Sequence, residues 1–326
     1  MSTEARKHTD WIAIGALSFL SALIFQTGVF FLLFPAPLQF LRGKTDRRHF
    51  SIGCGLAAFL VATVVLWRAI QAPDDLFGAA MVDGMVPIGL ICAVWVLNEI
   101  QLPWGGRTVS LSLAGVVAAL AAIPSATFLV DSEAFRGQIA SQLSAAEQLF
   151  SDMPEGVALT EMLGVESPER LVSMLWLRTF AGGFTLTLGL NFLVGGRLSG
   201  AVDDRILERY RSPSWLPFVF LAGLAGVVVE VSTGLALFGI LGWNTLIFSG
   251  GVFAAQGVGL LQFVVGADGM RPGRRALVPL VLMLLFVIPL TGGVVALLVP
   301  SLGILEHWTR RRDREAPRGP QKPKRQ

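Results

Sequence analysis

Three ionisable side chains interrupt long apolar runs of this sequence: Asp83, Arg178 and Glu230. A charge at the centre of a bilayer costs roughly 3 kcal/mol even on lenient scales, so such groups usually face a partner or a polar cavity. One arginine with two carboxylates could do either of two jobs. It could form an ion-pair network that locks helices together, or it could line an outward-facing pocket for a small molecule or ion. Gln256 joins the candidates as a polar residue near the middle of a run, beside the small residues Gly257 and Gly259. Close packing there could also shape a cavity. The candidate ligand-binding set is therefore Asp83, Arg178, Glu230 and Gln256. Asn191, Asn244 and Gln262 are expected to hydrogen-bond to neighbouring spans, as isolated amides in membrane helices commonly do.

Motifs of soluble enzymes are missing. No phosphate-binding Gly-rich loop and no His-Glu-x-x-His occurs. His8, His49 and His307 all fall near predicted membrane ends, and Cys54 and Cys92 lie in apolar runs without metal-ligand spacing. The two cysteines read as small buried hydrophobes. No metal, cofactor or catalytic residue is expected. An intramembrane enzyme would have to rely on the same three charged residues, so the reading is of a non-enzymatic protein.

The elements that must position these residues follow from composition. Of 326 residues, 53% are hydrophobic and only 15% charged, against about 25% charged in ordinary soluble domains. The charges collect in short gaps between apolar runs. The runs repeatedly reach the roughly 20 residues that a helix needs to cross a hydrocarbon core. Period-2 alternation is absent, so helices rather than a membrane β-barrel are expected. The fold class is an all-α, polytopic helical membrane protein with about 8–10 transmembrane or re-entrant helices. The membrane domain covers residues 1–308, and 309–326 form a basic, disordered cytoplasmic tail.

The first apolar stretch, Trp11 to Leu41, is too long for one ordinary span. Gln26-Thr27-Gly28, Pro35 and Pro37 break it, which predicts two short helices near 10–25 and 28–42. No cleavable signal peptide is apparent in it. Further spans are expected near 50–70, 76–97, 108–130, 170–196, 214–241 and 243–266. The last two are read as an antiparallel hairpin turning at Gly242-Trp243-Asn244. A final broken stretch covers 276–306, interrupted at Pro289-Leu290-Thr291-Gly292-Gly293. Residues 131–169 are polar and net acidic, with Phe135, Ile139, Leu143, Ala146 and Phe150 at helical spacing. They read as an amphipathic helix on the outer surface or capping the bundle. Arg42, Lys44, Arg47 and Arg48, the arginines of 197–211 and 271–275, and the tail mark the cytoplasmic side by the positive-inside rule. Both termini are then cytoplasmic, in a bacterial-type inner membrane. By the same span boundaries Asp83 and Arg178 lie roughly 10–12 Å from the outer helix ends and Glu230 roughly 15 Å. Arg68 is expected to snorkel from a helix end. Tryptophans at run ends, including Trp67, Trp215, Trp243 and Trp308, fit an aromatic belt.

Several short motifs in the C-terminal third carry a resemblance. These are Asn244-Thr245-Leu246-Ile247, Ala255-Gln256-Gly257-Val258-Gly259, and Leu302-Gly303-Ile304-Leu305-Glu306-His307-Trp308 before an arginine cluster. Together with Arg211-Ser212-Pro213-Ser214-Trp215 and the Pro35-Ala36-Pro37 step, they resemble the YybS-like family of bacterial membrane proteins. That family is distantly similar to the substrate-binding S components of energy-coupling-factor transporters. The resemblance implies an S-component-like protein that binds or transports a small molecule. This chain is longer than those components, so no site residue is carried over from them. The alternative expectation is a membrane scaffold or assembly partner, in which 131–169 and the basic tail dock other membrane proteins. The expected partners are the lipid bilayer, a small-molecule ligand and other membrane proteins, with no role for nucleic acid.

Overall fold

A computed structural model describes residues 3–27, 31–71, 77–99, 109–118, 168–203, 205–267 and 289–309, with 278–279, 281–282 and 284–285. Among them there is no strand. The helices are α1 (Thr3–Thr27), α2 (Ala36–Lys44), α3 (Arg47–Gln71), α4 (Phe77–Glu99) and α5 (Val109–Ala118). They continue as α6 (Pro168–Ser199), α7 (Ile206–Arg209), α8 (Leu216–Thr233), α9 (Ala236–Ala267) and α10 (Pro289–Thr309). Five helices are long and apolar enough to cross a membrane: α3, α8 and α10, with the apolar parts of α6 (Trp176–Ser199) and α9 (Ala236–Val265). The protein is an all-α polytopic membrane protein. The amphipathic segment read in 131–169 lies outside the described residues apart from Pro168 and Glu169, which open α6, and so does the basic tail beyond Thr309.

The outward surface requires lipid. Only 33% of the apolar window of α3 is buried within the protein, and only 17% of that of α8. Phe59, Trp67 and Ile70 on α3 and Phe218, Leu221 and Val231 on α8 point outward. Soluble monomers rarely expose apolar surface on this scale.

The described residues form two compact units. One comprises Met1–Val202 with Gly223–Asn244, the other Asp203–Ala222 with Thr245–Gln326. In the first unit α3 is central, packing on α1 and α4, while α2 packs against α6. Phe50, Cys54, Ala57, Val61 and Val65 recur every three to four residues along one side of α3 and are all buried. They meet Ala22 and Phe25 of α1, Leu90, Ile91 and Val94 of α4, and Leu188 of α6 in one core. Asp46 starts α3. Its carboxylate accepts the His49 N–H at 2.8 Å, and the Phe50 N–H returns to the Asp46 carbonyl at 3.0 Å. That is the geometry of an N-cap, which satisfies an amide left without a helical partner. The His49 amide bond also holds the Asp46 carboxyl below its ordinary pKa.

The expected break in the first apolar stretch is present. α1 ends at Thr27, a short 3-10 turn covers Phe31–Leu33, and α2 then runs for only nine residues. A helix of that length rises about 13 Å and cannot span a bilayer. Pro35 precedes α2 and Pro37 lies in its first turn, where a missing N–H is harmless.

Two expectations are corrected here. The hairpin joining α8 and α9 does not turn at Gly242-Trp243-Asn244, which lies inside α9; it turns at Gly234-Leu235. Gly234 has φ +73°, and its N–H bonds the Glu230 carbonyl at 2.8 Å. Left-handed backbone costs an L-residue roughly 1–2 kcal/mol, so Gly234→Ala should lower unfolding stability by about that amount. Gly183→Ala, a helical position with open space, should not. Trp243 accordingly lies inside α9, at its eighth residue, and not at a run end. Cys92 is exposed rather than buried, whereas Cys54 is buried as expected.

Candidate functional site

Broken helices are costly in a membrane because their freed carbonyls have no water to bond. Here the turn before α2 is satisfied by side chains. The Ser21 hydroxyl of α1 donates to the Phe34 carbonyl at 2.6 Å. The Asn191 amide of α6 donates to the Leu32 carbonyl at 2.7 Å and to the Thr187 carbonyl at 2.7 Å. One turn along α6, Gly195 lies so close to the Ala36 carbonyl and the Phe40 amide that no Cβ would fit. Further along α2, Gln39 accepts a bond from Asn98 of α4 at 3.2 Å. Ser18 donates to the Gly53 carbonyl of α3 at 2.9 Å.

Ser21 and Asn191 thus hold the turn before α2 and Asn98 holds Gln39 within α2, while Ser18 and Thr187 stand one turn from Ser21 and Asn191 on the same helices, and all six are buried. All are neutral. They form a polar collar, contributed by α1, α4 and α6 with Gln39 of α2, at the turn and the start of α2. Within it the Asn191 Oδ1 is buried and accepts no hydrogen bond among the described residues.

The charged candidates do something different. Arg178 of α6 and Glu230 of α8 form an ion pair, with side chains 22% and 11% exposed. Glu230 stands one turn before the end of α8, so the mid-span depth expected for it is corrected by the new position of the turn, whereas Arg178 is the eleventh residue of α6, about three turns from its start. Gly239 of α9 makes room for the pair, since a Cβ there would coincide with the Glu230 carboxylate. Gly226 and Gly242 likewise bring the backbones of α8 and α9 together. Asn244 completes the arrangement. Its amide nitrogen donates to the Leu177 carbonyl at 2.6 Å, and its oxygen accepts from the Gly182 N–H at 3.0 Å. Arg178, Glu230 and Asn244 clasp the α8–α9 hairpin to α6.

Asp83 belongs to α4, but its side chain lies outside the described residues. Gln256 belongs to the second unit and is 1% exposed. Its oxygen accepts the Ser212 N–H at 2.8 Å, and the Ser212 hydroxyl bonds His307 Nδ1 of α10 at 2.8 Å. Gln256 thus ties the loop before α8 to α9 and, through Ser212, to α10. Of the four candidates the structure brings together Arg178 and Glu230. Arg68 does not simply snorkel. It donates to the Gln26 carbonyl and side chain at 3.1 and 2.9 Å, closing α1 on α3.

Asn191 was expected to bond a neighbouring element, and it does. Ser18, Ser21, Gln39, Asn98 and Thr187 were missed, although Ser18/Ser21 and Thr187/Asn191 show helical i, i+3 and i, i+4 spacing in otherwise apolar helices. That spacing next to a Pro-broken segment is the signal that could have found them. The chain matches no family model, no curated protein and no solved structure.

Proposed function

We propose that the protein binds, and in the membrane transports, a small molecule, with the binding region at the collar where α2 starts. The observation that carries this reading is a helix break whose turn and short, mostly buried α2 are held by neutral polar side chains from three other helices. Irregular backbone at membrane depth is tolerated where it is buried in protein or lines a cavity. Secondary transporters build their substrate sites from such discontinuous helices. The clasp Arg178–Glu230 holds the surrounding helices and takes the locking role of the two the sequence left open. The reading extends to an S-component-like, YybS-related protein of a bacterial inner membrane, with the basic side of α2 and α3 in the cytoplasm.

A thermal-shift screen of vitamins, nucleobases, amino acids and sugars on the purified protein in micelles tests it. At least one chemical class should raise the unfolding temperature saturably. A library in which every solute leaves the unfolding curve unchanged would remove the proposal.

A further inference from the structure

Both hydrogens of the Asn191 amide go to protein oxygens, the Leu32 and Thr187 carbonyls, each at 2.7 Å. Those of Asn98 go to Gln39 Oε1 at 3.2 Å and to the Val94 carbonyl at 2.8 Å. The hydroxyl hydrogens of Ser18 and Ser21 go to the Gly53 and Phe34 carbonyls. A serine hydroxyl carries one hydrogen and an asparagine amide two. These four buried side chains therefore have no hydrogen left to offer a ligand, and what they keep is acceptor oxygen. Asn191 keeps it in a fixed direction. It is 0% exposed, and the two carbonyls at its nitrogen settle which way the amide is turned. Its Oδ1 is buried and accepts no hydrogen bond among the described residues. Buried acceptors are normally paired, and leaving one unpaired is costly, so the group that belongs against Asn191 is a donor. The collar residues are serine, threonine and amides. An ion buried among them would lack the countercharge that buried ions require.

We propose that the solute bound at the collar is uncharged and donates an N–H or O–H hydrogen bond to Asn191 Oδ1, as a polyol or the ring N–H of a neutral heterocycle would. Carboxylate and phosphate groups bring only acceptors, which meet no free hydrogen on Ser18, Ser21, Asn98 or Asn191. Ammonium groups bring donors but meet no carboxylate in the collar. The inference deepens the proposed function and rests on it, naming the chemical class of the solute.

The test measures equilibrium binding on the full chain in micelles with matched sets of probes. These are uracil, dimethyluracil and orotate; nicotinamide, dimethylnicotinamide and nicotinate; and ribitol, its permethyl ether and ribonate. The methylated and anionic counterparts of any solute returned by the wider screen are added. An uncharged donor should bind saturably. Its methylated counterpart, which leaves Asn191 Oδ1 unpaired, and its anionic counterpart, which brings an uncompensated charge, should each bind about tenfold more weakly or worse. In Asn191→Leu the preference for the donor over its methylated counterpart should shrink to within about twofold. An asparagine that only holds the turn would weaken both alike and leave their ratio unchanged, which would overturn its role. If Asn191→Leu does not fold, the wild-type ratios decide alone. Equal binding of donor and methylated counterpart, the pattern an ordered water on Asn191 would give, would overturn the inference and leave the proposed function standing. So would a charged solute as the tightest ligand found. No binding in any set or in the wider screen would remove both.

Discussion

Replacing either Arg178 or Glu230 alone should destabilise the protein by roughly 2–4 kcal/mol, while replacing both with methionine should recover most of the loss. The two form an ion pair with side chains 22% and 11% exposed. Arg178→Met leaves the Glu230 carboxylate over Gly239 without its partner, and Glu230→Met does the same to the guanidinium. In each single variant a mostly buried charge loses compensation, and the desolvation cost is no longer offset. The double variant removes both charges and keeps apolar volume, which is often neutral for buried pairs. The cost sits below the extreme for such pairs because neither side chain is fully buried. Reversible unfolding of the four proteins in mixed micelles gives the coupling energy directly. Additive losses would mean that the pair is not the clasp described, and that each charge meets a ligand or solvent on its own.

The second large effect belongs to the other unit. Gly257 of α9 and Gly303 of α10 face one another. A Cβ on Gly257 would run into the Val299 carbonyl, and one on Gly303 into the Phe253 carbonyl. Backbone atoms cannot swing aside as a side chain can. Gly257→Ala or Gly303→Ala should therefore force the helices apart and cost about 1–3 kcal/mol, or more if unrelieved. The double variant should cost less than the sum, since one separation relieves both clashes. Gly250→Ala on the same helix meets open space and should be neutral or slightly stabilising, because alanine is the better helix former. Thermal unfolding of the four variants checks the ranking. A silent Gly257→Ala would show that α9 and α10 do not approach this closely.

The membrane fold was legible because span length and charge deficit are local properties that no tertiary context overrides. The N-terminal break was legible for a similar reason, since Pro35 and Pro37 punctuate an apolar run too long for one helix. The hairpin turn was not. Gly242-Trp243-Asn244 has the composition of a turn, and so does Ser232-Thr233-Gly234, which ends eight residues before Gly242, so composition alone does not choose between them. In membrane helices glycine serves close packing as often as turning, and here Gly242 packs while Gly234 turns. That single exchange moved Glu230 from mid-span to the end of α8. It also turned Asn244 from a loop residue into part of the clasp. Gly257 follows the expected packing role, whereas Gly183 and Gly250 face open space.

The collar escaped the sequence for another reason. Gln39 and Asn98 are 59 positions apart, and Asn191 reaches a carbonyl 159 positions away. Periodicity reports which face of a helix is buried, not which distant residue meets it. A lone charge in an apolar run is conspicuous. The neutral groups gathered at the start of α2 each look tolerable in isolation, and only their convergence marks a site.

The central claim is that the collar binds the solute and the clasp only holds the helices. Equilibrium binding of the strongest stabilising solute should be measured on the wild type, on Arg178→Met/Glu230→Met and on Gln39→Met/Asn98→Leu. The last pair replaces both partners of one buried hydrogen bond with apolar groups of similar size, a change that can be nearly neutral for stability. The clasp variant should bind within about threefold of wild type, and the collar variant should weaken binding by about tenfold or more while remaining folded. Binding retained by the collar variant and lost from the clasp variant would contradict it and return the site to Arg178 and Glu230.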